Sequence, residues 1–142
     1  MTTIASAISF AAQRPVAVRT PKSVIVGRVM SGIISALLIL DASVKLFPSK
    51  VLIESSAQLG YPVGTMTPIG ITLLTCVILY LIPRTSVFGA LLLTGYLGGA
   101  IATHVRVGNP LFSHILFPTY VATIAWGGLY LRNEKLRALV RG

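Results

Sequence analysis

Four apolar runs, at about 24–47, 63–82, 85–105 and 110–131, take up most of the chain and push its charged residues to their ends. At ~1.5 Å per residue each run can cross a hydrocarbon core of ~30 Å as a helix, a conformation that satisfies its own backbone polar groups there. Hydrophobic residues make up 54% of the sequence and charged residues 11%, a balance unlike that of a water-facing surface. The chain therefore reads as all-α and polytopic, an antiparallel bundle of four transmembrane helices in one domain at 23–132. Tails at 1–22 and 133–142 flank it, and no length is left for a separate soluble catalytic domain.

The formal charge of +9 does not point to nucleic acid, because Lys and Arg cap the apolar runs instead of lining one polar face. They read as topological anchors. Arg14, Arg19, Lys22, Arg84, Arg132, Lys135, Arg137 and Arg141 fall on the side of the two tails and the Pro83-Arg84 hairpin, against Lys45, Lys50 and Arg106 opposite. The positive-inside rule then places both termini in the cytoplasm. In the N-terminal tail the basic residues follow the apolar ones, the reverse of a signal peptide; a flexible or surface-lying tail is expected, with an amphipathic anchor or a cleaved targeting segment as alternatives. The lone cysteine, Cys76, sits within an apolar run, so the chain has neither a disulfide nor a paired-cysteine redox motif.

Local signals refine the bundle. Ser49 can cap a short helix over 50–59 that Gly60 would stop, lying in the membrane interface like a lid; an ordered loop is the alternative. Pro83-Arg84 forces a hairpin, with Thr85 or Ser86 capping the third span. Asn109-Pro110 marks the start of the fourth, and Pro118 bends it by depriving the His114 carbonyl of its donor. Gly95, Gly99 and Thr103, with Gly98 and Ala102, repeat the small-xxx-small spacing that lets another helix approach closely, so Gly95, Gly98, Gly99 and Ala102 are expected to form a packing face.

With this topology the polar residues converge on the extracytoplasmic end. Asp41 and Lys45, four residues apart with the acid first, share one helix face; His104 and Arg106 close the third span, and His114 opens the fourth. Tyr61, Thr65 and Thr67 join them, with Tyr120 deeper. Ionisable groups at membrane depth are expected either to pair or to serve a site. One reading is a structural Asp41–Lys45 pair with the other cations reaching headgroups; the other is a pocket for a small anion, a quinone headgroup or protons, formed by Asp41, Lys45, Tyr61, His104, Arg106, His114 and Tyr120. Two histidines alone do not argue for haem ligation, and a metal site adding Asp41 to them is weaker still.

Several segments resemble the DoxX-like family of small four-span membrane proteins. They are Asp41-Ala42-Ser43-Val44-Lys45-Leu46, Leu59-Gly60-Tyr61-Pro62, Leu79-Tyr80-Leu81-Ile82-Pro83-Arg84-Thr85, Gly95-Tyr96-Leu97-Gly98-Gly99-Ala100, Ala102-Thr103-His104-Val105-Arg106 and His114-Ile115-Leu116-Phe117-Pro118. The resemblance covers about 24–139 and departs at Ala42, where the family often has glycine. The family takes its name from a membrane component of a thiosulfate:quinone oxidoreductase. The resemblance implies a bacterial inner-membrane protein, an accessory component of an oxidoreductase assembly that is not catalytic alone; such a subunit would use the outer pocket for a quinone or a sulfur oxyanion. Partner proteins would carry the redox centres, as the chain has no nucleotide fingerprint or cluster-type cysteines. Two alternatives remain: a purely structural subunit packing within a larger membrane complex or homo-oligomer, and a small-solute or proton conductor, which the few polar residues of the middle (Thr75, Cys76, Thr94, Tyr96) serve poorly. The topology is checked by labelling introduced cysteines in intact cells: one at Lys50 is expected to react from outside and one at Arg137 is not, and the reverse pattern would exclude the arrangement.

Overall fold

A computed structural model describes residues 21–47 and 49–142. Of the expected N-terminal tail at 1–22, residues 1–20 lie outside the described residues, and Pro21 and Lys22 begin the first helix. The described elements, in order, are α1 (Pro21–Leu46), α2 (Lys50–Gln58), α3 (Val63–Leu81), α4 (Ser86–Arg106), a π-helical turn (Leu111–Ile115), α5 (Phe117–Arg132) and α6 (Glu134–Arg141). Among the described residues there is no strand.

The long helices close a ring in which α1 packs on α3 and α5, and α4 packs on the same two. Neighbours run antiparallel. Tyr80, late in α3, reaches Ser31, early in α1, while Tyr61, just before α3, reaches Thr103, late in α4. The ring is inside-out compared with a soluble bundle. On α1 the buried positions include Ser31, Ile34, Ser35, Leu38 and Ala42, while Ile25, Val29, Ile33, Leu40 and Val44 point outward. Large apolar side chains outside and smaller ones at the contacts suit a lipid surround, where close backbone approach replaces hydrophobic collapse. α1, α3 and α4 are long and apolar enough to cross a membrane.

Ser49 caps α2 as its spacing suggested, accepting from Leu52 N at 3.2 Å, and Gly60 ends the segment with φ +70°. Elsewhere the local expectations need correction. Thr85 and Ser86 do not cap α4; their hydroxyls turn back to Leu79 O and Pro83 O and tie the hairpin instead. The fourth apolar run is not one helix from Pro110. Leu116 N donates to Leu111 O at 2.9 Å, a five-residue step, and a regular helix starts only at Phe117 with Pro118 in its first turn. Proline's missing N–H and its ring clash one turn back account for the break, since the first turn is where both are tolerated. The basic C-terminal tail contains a capped helix, α6, whose Leu136 is buried on the bundle.

Close helix packing also lies elsewhere than the glycine spacing suggested. A Cβ added at Gly95, Gly98 or Gly99 would meet nothing within 4 Å, and Ala102 is exposed, so none of the described elements packs on that face. The tight contacts are at Gly89, where a Cβ would run into the Tyr80 backbone, at Gly27 and Gly128 between α1 and α5, and at Gly70 against Ala42 and Lys45. Each lies where two helix backbones approach across the ring, which spacing along one helix does not specify. Gly89→Ala is expected to destabilise the bundle by about 1–3 kcal/mol or more through backbone displacement. Gly98→Ala should be neutral, and thermal unfolding in detergent measures both.

Candidate functional site

Where α1 ends and α3 begins, the four long helices enclose a cavity of about 540 Å³. Its apolar wall comes from side chains such as Leu38, Met66, Leu97, Phe117 and Val121, while Asp41, Lys45, Tyr61, Tyr96, Thr103 and His104 supply polar atoms. The volume is that of a small-molecule site, and the mixture of an apolar body with a few polar groups is the usual composition of one. Gly95 and Gly99 are part of the wall. Their missing side chains therefore make the space that a second helix was expected to fill.

Lys45 Nζ donates to Asp41 Oδ1 one turn away, the pair expected from their spacing. The Asp41 side chain is 45% exposed and that of Lys45 19%, so the carboxylate is the more accessible partner. On the facing helix, Thr103 donates to Gly99 O at 3.0 Å, so the 3.0 Å contact between Tyr61 and Thr103 is donated by the phenol. Tyr61 keeps its oxygen lone pairs. Asn109 Nδ2 lies 2.8 Å from His104 Nδ1. An amide nitrogen only donates, so Nδ1 accepts and the neutral ring carries its proton on Nε2, the donor His104 can offer to a ligand.

The remaining expected site residues stand apart from the cavity wall. Arg106 donates from Nη2 to Leu59 O at 2.7 Å and lies 5.4 Å over the Tyr61 ring. It thus clasps the chain just past the C-terminal end of α2, where a cation complements the helix dipole, and holds the segment that carries Leu59 and Tyr61 into the cavity. His114 lies on the π-helical turn, bonded through Nδ1 to Ser113 Oγ at 2.8 Å, with its ring edge-on to His104 at 5.7 Å between centroids and 66° between planes. That edge contact leaves no slot for a porphyrin between the rings. Among the described residues no three His, Cys, Asp or Glu side chains gather as a metal set. Tyr120 is exposed and does not line the cavity.

Tyr96 is the residue that sequence reasoning undervalued. It is half-buried, its hydroxyl has no hydrogen-bond partner among the described residues, and it lines the cavity. Its signal was helical register: Tyr96, Ala100, Thr103 and His104 share one face of α4.

A ring of helices with an apolar exterior and a cavity that is polar only in part defines a helical integral membrane protein with a ligand-sized recess. A family model matches residues 29–128, and the chain belongs to the DoxX-like family. No curated protein and no solved structure matches it.

The Asp41–Lys45 pair separates structure from binding. Asp41→Asn is expected to cost about 1–2 kcal/mol by leaving a half-buried ammonium without its counter-charge. Asp41→Asn combined with Lys45→Met should recover most of that loss, as a double-mutant cycle of thermal unfolding would show.

Proposed function

We propose that this protein is an accessory subunit of a membrane oxidoreductase assembly and binds an amphipathic ligand with a quinone-type headgroup in its cavity. The observation that supports this most is the composition of the cavity: an apolar body bordered by hydrogen-bond donors at Lys45, His104 and Tyr96. A quinone ring carries carbonyl oxygens that accept such donors and an apolar tail that such a wall accommodates. In this reading α5 and its π-helical turn form a fourth span, α2 lies in the interface over the cavity, and both termini face the cytoplasm of a bacterial inner membrane. The charge asymmetry of the chain supports that orientation.

A second reading, a structural subunit packing against another membrane protein or another copy, is favoured by one observation: Gly98 and Ala102 on α4 are exposed, and a Cβ at Gly98 would meet none of the described residues. Conduction has no such support. Below the cavity the core is mainly apolar, filled by Leu73, Val77, Leu93, Ala125 and Leu129, and the Tyr80 hydroxyl and Ser31 there are bonded to each other.

The glycine wall supplies the test. Gly99→Leu places a side chain into open cavity space, so the bundle is expected to keep its unliganded melting temperature while the ligand loses its room. A short-chain benzoquinone added in detergent should raise the melting temperature of the unmodified protein and not that of Gly99→Leu. His104→Gln should weaken binding by about tenfold, the worth of one hydrogen bond. A Gly99→Leu protein that binds as well as the unmodified one would exclude this cavity as the site, and an unmodified protein that never responds would exclude the quinone.

A further inference from the structure

The chain ends in a helix that is only half docked. At Asn133 the backbone is extended (φ −113°, ψ 110°) and turns away from α5, while the Asn133 side chain caps α6 by accepting from Leu136 N at 3.1 Å. Leu136, Leu139 and Val140 share one face of α6 by helical spacing. Leu136 buries that face on the bundle, whereas Leu139 is 79% and Val140 64% exposed. The first turn therefore rests on the core and the second overhangs it. Arg137 fixes the rotation of the helix, donating from Nη2 to Leu131 O at 3.1 Å with its guanidinium 5.4 Å over the Tyr130 ring.

At the end of the bundle that carries α6, exposed basic side chains outnumber the one acidic residue of that helix, Glu134. Lys135 and Arg141 are exposed on α6, and Arg84 is exposed on the hairpin between α3 and α4. The hairpin and α6 belong to the same end, because Asn133 Nδ2 donates to Ser86 Oγ at 3.3 Å. Beside the last turn of a membrane-crossing bundle lies the boundary between acyl chains and headgroups, where an apolar face belongs on one side and charge on the other.

We propose that α6 is a surface-lying anchor that seats Leu139 and Val140 among the acyl chains and binds anionic phospholipid headgroups through Lys135, Arg141 and Arg84. Two protruding side chains are far too little surface for a stable protein interface, which needs on the order of 1,000 Å² in total. They suit a bilayer, whose apolar layer already surrounds the bundle. Charge complementarity selects the anionic lipid: each basic residue near such a surface contributes about fivefold to its attraction. This anchor does not depend on the cavity or its ligand, and lies at the opposite end of the bundle.

The experiment uses the full chain with Leu139→Cys carrying an environment-sensitive fluorophore and Cys76→Ala to leave one thiol. The protein is reconstituted at low density in phosphatidylcholine vesicles containing one-fifth phosphatidylglycerol, and nitroxide-labelled forms of each lipid are used in turn as quenchers. The expected result is a probe quenched by both lipids, with phosphatidylglycerol favoured several-fold at equal mole fraction. Combining Lys135→Gln, Arg141→Gln and Arg84→Gln should bring that preference close to one while quenching persists and thermal stability holds, since all three side chains are exposed. A probe that neither lipid quenches overturns the proposal. So does a preference that survives the triple substitution, or a probe shielded only as protein density rises, which would identify a second copy of the chain as the occupant.

Discussion

Tyr80 holds the structure together at one end, and the form of the other end follows from it. Its side chain is fully buried, and its hydroxyl meets Ser31 Oγ at 2.9 Å and donates to Ala125 O at 2.7 Å, joining α3 to α1 and α5. Arg132 closes the arrangement from outside, donating to Tyr80 O at 2.6 Å with its guanidinium 4.8 Å over the ring. Water is scarce within a bilayer, so a buried hydroxyl without partners would be costly, and the three helices are held wherever these partners are. Gly89 lets α4 close on the same residue, because no side chain intervenes between it and the Tyr80 backbone. All four long helices are thus drawn together around one tyrosine, three through its side chain and α4 through its backbone.

Helices fixed tightly at one end can separate at the other without losing the bundle, and this is where the cavity opens. Gly95 and Gly99 mark the change along α4, since Gly89 two turns earlier is crowded while they face open space. The wider end is then held by longer reaches: Tyr61 across to Thr103, Arg106 to Leu59, and the edge of His104 against His114. These contacts are polar and partly or wholly exposed, so they resist opening less than a packed core does. A site that must admit a ligand from the bilayer or its surface is better placed at this end than at the Tyr80 end.

How much of this was legible in the sequence differs by level. The helices α1, α3 and α4 were, because long apolar runs with charged ends have few other uses, and Ser49 with Gly60 marked α2 by the chemistry of caps and stops; the π-helical break before α5 and the helix α6 were not. The shared end of Asp41, Lys45, Tyr61 and His104 followed from chain reversal alone. What stayed hidden was anything decided by the angle between helices. Glycine spacing describes a groove on one helix; whether a partner fills the groove, as at Gly89, or leaves it as a cavity wall, as at Gly95 and Gly99, depends on splay imposed from Tyr80 several turns away. Tyr80 itself carried no local signal beyond being a tyrosine near a helix end, and its hydrogen bonds span 45 residues or more in sequence.

The break before α5 shows how one proline serves the cavity from a distance. Pro118 cannot donate to His114 O, so the helix does not continue back through His114 and a looser five-residue turn takes its place. That turn presents the His114 ring against His104. The early start of a regular helix would have carried residue 114 around α5 in strict register with Pro118 and Val121, both of which face the cavity. A histidine on that face would have brought a second titratable ring into the recess. The proline instead leaves the wall there to Phe117, Pro118 and Val121, all apolar, and concentrates the polar groups on α1, α4 and the segment after α2. The polar groups therefore stand on α1 and α4, which face each other across the ring, while the α5 wall between them is apolar, so a ligand that presents polar atoms to both helices and hydrocarbon to α5 fits the lining.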